Sequence, residues 1–151
     1  MMRIRIESGF YIFLAVLLLT VPLRWIIALF AAMLTHELGH YLTVYLLGGQ
    51  VVGGTVGLRG ARLEALPMPA EKELLAVLAG PAASLLLLSV CRVFPRVALC
   101  GLFQGVYNLI PLYPLDGGKA VRCLRVMRKE KAGNLHRHGN TSCKAGKQRV
   151  Q

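Results

Sequence analysis

The chain has 151 residues, enough for one domain, and 55% of them are hydrophobic, with a mean hydropathy of +0.54. That hydropathy argues against an ordinary soluble domain. The chain has 18 Lys and Arg residues against 7 Asp and Glu, which gives a net charge of +11. Ten of the basic residues follow the last apolar run, as in membrane proteins with basic cytoplasmic ends. Aromatic residues do not alternate with basic ones as they do on a base-stacking surface, which argues against a nucleic-acid partner.

Four apolar segments follow in chain order and predict about four transmembrane helices. The first, Phe10 to Leu23, is only marginally long enough to cross a bilayer. The second, Trp25 to Leu47, has 23 residues and would form about 35 Å of helix, which is enough. The third runs from about Leu74 to Phe94, and the fourth from about Val97 to Leu115. We therefore expect an all-α membrane protein.

The segment between the second and third apolar runs, "GGQVVGGTVGLRGARLEALPMP", favours short strands over helix. Its glycines and its alternating Val, Thr, Leu and Arg residues are typical of one or two strands joined by tight turns. We expect a short β-strand or hairpin here. An edge strand from Val51 to Leu58 could capture an extended peptide by strand addition.

The chain from about Val126 onward is polar, basic and rich in Gly, Asn and Ser, which predicts a disordered tail. The expected division is a membrane-embedded domain in residues 1–125 and a cytoplasmic tail in residues 126–151. The tail either binds anionic lipid headgroups or stays solvated, and its sequence favours neither. The four cysteines form no C-x-x-C pair and are interpreted as structural: Cys91, Cys100, Cys123 and Cys143.

The distribution of charge predicts the orientation of the chain. With a cytoplasmic N-terminus and four crossings, the basic tail lies inside the cell together with five further cations, and only three arginines lie outside. The cytoplasmic set is Arg3, Arg5, Arg59, Arg62 and Lys72, and the outer set is Arg24, Arg92 and Arg96. This asymmetry follows the positive-inside pattern of membrane proteins.

Two histidines and a glutamate lie inside the second apolar segment, in "MLTHELGHYLTVY". On a helix, His36 and His40 lie on one face, one turn apart, where their imidazoles can share one Zn²⁺. Glu37 projects beside that metal and can take a proton from a water that it holds. A chance match, with polar residues that bond between helices, is the alternative. Polar groups in an apolar segment are costly without a compensating role, which makes a functional site the default.

A catalytic zinc usually takes a third protein ligand. Apart from Glu37, the only acidic residue in or at the edge of a late apolar segment is Asp116, in "NLIPLYPLDGG". The prolines before it and the glycines after it predict a broken helix, whose freed backbone groups suit a protein-lined cavity. A solvated turn at the membrane surface is the alternative. In the four-crossing topology both motifs lie on the cytoplasmic side, which favours Asp116 as the third ligand.

"HELGH", followed about 70 residues later by "NLIPLYPLDGG" and with "LAGPAAS" between them, resembles the site-2 protease family of intramembrane zinc metalloproteases (peptidase M50). The closest likeness is to the small bacterial members, including the sporulation type that processes a pro-sigma factor. The resemblance implies a three-helix catalytic core, one zinc ion bound by His36, His40 and Asp116, and Glu37 as the catalytic acid/base. It also implies that Asn108 contacts the substrate and that the Gly-Pro pair of "LAGPAAS" shapes the middle helix.

The expected function is hydrolysis of a peptide bond within or next to a transmembrane segment of a membrane-associated protein, such as a pro-sigma factor or another membrane-tethered regulator. The expected partners are that substrate, the lipid bilayer and a regulatory membrane protein. The resemblance implies an integral protein of the bacterial cell membrane, with its active site towards the cytoplasm. Two alternatives remain: a catalytically inactive scaffold of the same fold that binds a partner helix, and a membrane-anchored peptidase that acts on exposed peptides. The position of the motif within the span disfavours the second of these.

Overall fold

The computed structural model describes residues 3–6, 8–57 and 60–147. It is mostly helical, with one small sheet. In chain order the elements are β1 (Arg3–Ile6), α1 (Ser8–Thr20), α2 (Leu23–Leu46), β2 (Val51–Gly57), β3 (Gly60–Ala65), α3 (Ala70–Leu86) with a short 3-10 helix after it (Leu87–Val90), α4 (Pro95–Asn108) and α5 (Asp116–Lys147).

The surface of the helices is apolar, as a membrane protein requires. Large hydrophobic side chains stand exposed along α1, α2 and α3, among them Leu19 (87% exposed), Leu46 (72%) and Leu86 (71%). Soluble monomers rarely expose apolar surface on this scale. Among the described residues one helical stretch, Ala70–Val90, is by itself long and apolar enough to cross a membrane, with 21 residues. The count of four crossings therefore stays a prediction.

Helices α2, α3 and α4 pack closely because small residues line their contacts. A side-chain carbon on Gly39 of α2 would lie 2.7 Å from the backbone oxygen of Ala79 in α3. A carbon on Gly101 of α4 would likewise lie 2.7 Å from the backbone oxygen of Ser84 in α3. Pro81 and Ser84 are the largest fully buried side chains described. Helix α3 is thus the central element, with α2 and α4 against it.

The sheet contains the expected hairpin and one further strand. β2 and β3 pair antiparallel between α2 and α3, and β1 pairs parallel with β2, opposite Gly53 to Val56. The strand order β1-β2-β3 places β2 in the middle. The prediction of an edge strand from Val51 to Leu58 is therefore wrong. The alternating "RIRI" of Arg3–Ile6 supplies the strand that covers it.

The C-terminal segment differs from the disordered tail that the sequence predicts. Helix α5 begins at Asp116 and continues to Lys147, across the expected boundary at residue 125. Its first half is rich in Arg, Lys, Leu, Met, Ala and Glu, which have high helix propensity. The average composition of the tail does not reflect this local helix preference, because the Gly, Asn and Ser residues of the tail lie after this first half. The division of the chain into two domains stays a prediction.

Candidate metal centre

Helix α2 brings His36 and His40 onto one face, towards α3. The segment from Leu23 to Leu46 contains no proline and many Leu and Ala residues, so its helix runs unbroken through the motif. The two imidazole rings lie with their centroids 4.8 Å apart and their planes at 84°. His36 is buried, with 2% of its surface exposed. The helix that the H-E-x-x-H motif requires is therefore present.

Three side-chain atoms meet in a nearly equilateral triangle. The Nε2 atoms of His36 and His40 are 3.2 Å apart, and each lies 3.1 Å from Oδ2 of Asp116. Asp116 is 5% exposed, although it lies 80 residues after His36 in the sequence. We call these three residues the metal triangle. They are the three residues that the sequence predicts as ligands.

Asp116 reaches this position through a tight turn after α4. Helix α4 ends at Asn108, the chain turns over residues 109–115, and Asp116 begins α5. A side-chain carbon on Gly117 would collide with the backbone oxygen of Leu109, and one on Gly118 would lie 2.6 Å from the carbonyl carbon of Leu112. Only glycine fits at these two positions. The glycines after Asp116 thus allow α5 to start directly against the turn.

Helix α3 fixes the orientation of both imidazoles. His36 Nδ1 lies 2.8 Å from Ser84 Oγ, and His40 Nδ1 lies 2.8 Å from the backbone oxygen of Ala76. A carbonyl oxygen only accepts, so His40 donates its Nδ1 proton to Ala76. A neutral His40 therefore directs the lone pair of Nε2 into the triangle. Ser84 can hold His36 in the same tautomer.

Asp116 is ionised and held from its other side. Lys119 donates a hydrogen bond of 2.8 Å to Oδ1, which leaves Oδ2 for the triangle. The triangle therefore contains a carboxylate and two imidazole nitrogens, and it needs a positive charge between them.

A divalent metal fits this triangle. Ligands at about 2.0–2.1 Å from a tetrahedral zinc are separated from one another by about 3.3–3.4 Å, and the observed separations are 3.1–3.2 Å. Two nitrogens and one oxygen form a ligand set that zinc accepts, and three protein ligands leave a fourth position open. With the Nδ1 atoms paired to α3, a metal would satisfy every Nε2 and Oδ2 atom of the triangle.

The other predicted site residues lie in the cavity beside the triangle. This cavity measures about 1390 Å³, and Glu37 and Asn108 both contribute to its walls. Ligand pockets usually have about 300–1,000 Å³, so this one has room for a segment of peptide. Asn108 Nδ2 donates a hydrogen bond of 3.1 Å to the backbone oxygen of Gln104. The structure thus gathers all five predicted site residues around one space, and their roles stay predictions.

The residues that support the triangle are not among those that the sequence motifs predict. Ser84 could have been noticed as the polar residue that ends "LAGPAAS", since polar residues in apolar helices often bond between helices. Lys119 lies three residues after Asp116, a spacing at which opposite charges meet on a helix. No sequence signal identifies the backbone oxygen of Ala76.

No family model matches the chain, and a search of curated proteins finds no match. The structure is similar to that of a site-2 protease from Methanocaldococcus jannaschii, with a TM-score of 0.67 and 27% sequence identity. The similarity covers 80% of this chain and 66% of that chain. The chain therefore spans slightly less than two thirds of the length of that protein.

Proposed function

Because the chain belongs to the site-2 protease family, as its motifs predict and its structural similarity confirms, we propose that it is an intramembrane zinc metalloprotease. It hydrolyses a peptide bond within or next to a transmembrane segment of a membrane-associated protein. A pro-sigma factor or another membrane-tethered regulator is the proposed substrate class. The observation that carries the proposal is the metal triangle, in which His36, His40 and Asp116 converge within 3.2 Å of one another.

The chemistry follows from the residues around the cavity. A zinc ion in the triangle would polarise the scissile carbonyl and lower the pKa of a water molecule from about 15.7 towards about 7. Glu37 accepts the proton of the attacking water and returns it to the leaving amine, as a general base and then a general acid. Asn108 binds the substrate backbone. His36 and His40 keep their orientation throughout, because Ser84 and Ala76 hold their Nδ1 atoms.

The position of the sheet supports the proposed topology. β1 precedes α1 and β2 follows α2, yet the two strands pair side by side. The two helices must therefore return the chain to the same end, so that either both cross the bilayer or neither does. With the basic N-terminus in the cytoplasm, the sheet, the end of α2 and the start of α5 lie on that side. The metal triangle then opens towards the cytoplasm.

The edge strand that could capture the substrate by strand addition is β3, not β2. β2 is paired on both sides, whereas in the described part of the chain β3 pairs with β2 alone. β3 ends at Ala65, and the residues from Ala65 to Met68 line the cavity. An extended peptide added to the outer edge of β3 would therefore lead into the space beside the triangle.

The proposal is tested by co-expression with candidate membrane-tethered transcription factors. The unaltered protein should cleave its substrate, and both Glu37→Gln and a zinc chelator should abolish cleavage while the protein still inserts into the membrane. Full activity of Glu37→Gln would overturn the mechanism. Metal analysis of the purified protein separates the enzyme from an inactive scaffold: the enzyme holds one zinc per chain, which His36→Ala removes.

A further inference from the structure

Helix α5 leads from the metal triangle to the beginning of α3. Its first residue, Asp116, lies 3.1 Å from the His40 ring, which is hydrogen-bonded to α3. Further along, Val126 and Glu130 of α5 line a small cavity of about 240 Å³ together with Ala70 of α3. The stretch of α3 that is long and apolar enough to cross a membrane begins at Ala70. The residues of α5 around Val126 therefore lie at the level of one membrane boundary.

The face of α5 that points away from the core is basic. The buried residues of its first turns mark the face towards the core; they are Asp116, Ala120 and Cys123. With 3.6 residues per turn, Arg125, Arg128 and Lys129 lie on the opposite face, within about one turn of one another, and all three are exposed. We call these three residues the cationic patch. Glu130, the acidic residue next to them in the sequence, lines the small cavity instead.

The cationic patch has no ion-pair partner within the residues that the structure describes. Like charges three or four residues apart on a helix repel one another and destabilise it. An anion bound between them would offset this repulsion. The planar guanidinium groups of Arg125 and Arg128 can each donate two parallel hydrogen bonds to the oxygens of a phosphate group. The patch is thus complementary in charge and in donor geometry to a phosphate.

The residues one turn before the patch favour a lipid phosphate over a free one. Val121 and Leu124 precede Arg125 and Arg128 by four residues each, so they lie on the same side of α5. Leu124 is exposed. This side of the helix therefore changes from apolar to basic at the level of the membrane boundary. A phospholipid presents the matching order of groups, with acyl chains beneath a phosphate.

We propose that the cationic patch binds the phosphate of an anionic phospholipid, whose acyl chains lie against Val121 and Leu124. In the proposed orientation the patch faces the cytoplasmic leaflet, where anionic lipids make the surface potential negative. The inference goes beyond the proposed function and does not depend on hydrolysis, so it can be tested by binding alone.

The double variant Arg125→Gln/Arg128→Gln tests the site, with the full-length protein in micelles of a neutral detergent. The probe is phosphatidylglycerol with a fluorescent acyl chain, and phosphatidylcholine with the same label is the comparison. The unaltered protein should bind phosphatidylglycerol more tightly than phosphatidylcholine. The double variant should bind phosphatidylglycerol about 25-fold more weakly, which is about fivefold for each cation near a lipid surface. Equal affinity for the two lipids, or equal affinity of the two proteins for phosphatidylglycerol, would contradict the inference.

The matched control is Arg92→Gln/Arg96→Gln, which removes the same charge from two exposed arginines beyond the other end of the stretch Ala70–Val90. It should change the affinity for phosphatidylglycerol less than about twofold, as surface substitutions usually do. An equal loss in both double variants would mean that net charge alone attracts the lipid, and would refute the site. Displacement of the lipid by inorganic phosphate or by poly-glutamate, beyond the effect of sodium chloride at equal ionic strength, would refute it in favour of a free anion or an acidic protein segment.

Photocrosslinking locates the lipid without any variant. A phosphatidylglycerol with a photoreactive headgroup is crosslinked to the unaltered protein, and the labelled peptides are identified by mass spectrometry. The label should lie in residues 121–132. Label concentrated around Arg92 and Arg96, or spread evenly over the exposed surface, would exclude the cationic patch as the binding site.

Discussion

Replacement of Ser84 by alanine should weaken zinc binding about 10- to 100-fold, because Ser84 orients a ligand without touching the metal itself. Ser84 Oγ lies 2.8 Å from His36 Nδ1, Ser84 is 0% exposed and His36 is 2% exposed, so no water can replace the hydroxyl. A buried donor without a partner costs about 1–3 kcal/mol. At about 1.36 kcal/mol per tenfold change, this equals about 5- to 150-fold in affinity.

The free-energy cost of removing the Ser84 hydroxyl arises mainly in the metal-bound state. Without metal, the His36 proton can move to Nε2 and face Asp116, so the metal-free variant need not leave Nδ1–H unpaired. With metal, Nε2 is occupied by the ion and Nδ1 must carry the proton. Ser84→Ala should therefore change zinc affinity more than it changes the stability of the metal-free protein.

Competition with a chromophoric zinc chelator, on protein reconstituted in lipid nanodiscs, measures this affinity. Ser89→Ala is the matched control: it is the same substitution a few residues later, and the Ser89 hydroxyl donates to the backbone oxygen of Leu86 on the exposed surface. Ser89→Ala should change the zinc affinity less than about twofold, as surface substitutions usually do. Equal zinc affinity in Ser84→Ala and the unaltered protein would refute the assignment of Ser84.

Three further predictions concern the same cavity. Gly80→Ala should leave purified protein with far less than one zinc per chain by metal analysis, because a side-chain carbon there would collide with the His40 ring; full zinc content would contradict this packing. Lys119→Met should lower cleavage about tenfold and Lys119→Arg should retain it, since Lys119 holds Oδ1 of Asp116; equal rates for both variants would exclude that role. Asn108→Ala should lower kcat/KM while zinc content stays at one per chain, and unchanged kinetics would remove Asn108 from the substrate site.

The local part of the site could be predicted from the sequence. Helical periodicity alone places His36 and His40 on one face. Polar side chains in an apolar segment cost free energy unless they have a role, so the motif of His36, Glu37 and His40 indicates a functional site. Asp116 was harder, because no spacing rule joins residues 80 positions apart. The sequence still indicates it, because the chain offers few carboxylates near its late apolar segments and because the charge asymmetry predicts that both motifs lie on one side of the membrane.

The supporting contacts could not be predicted, because they depend on how α3 packs against α2 and how α5 starts. Ser84 meets His36 only since small residues let the helices approach closely. The role of β2 was mistaken for a similar reason: its pairing with Arg3–Ile6 depends on the return of the chain through α1 and α2. The helix after residue 125 was missed because the average composition of the tail outweighed its local helix propensity.

X-ray absorption spectroscopy of the zinc-loaded protein tests the metal triangle most directly. We expect one zinc per chain, with two imidazole nitrogens at about 2.0–2.1 Å and oxygen ligands at about 2.0–2.2 Å. In Asp116→Ala, one oxygen ligand should be lost or the ion released. A protein that binds no zinc, or a spectrum that Asp116→Ala leaves unchanged, would contradict the metal triangle and the hydrolytic function that rests on it.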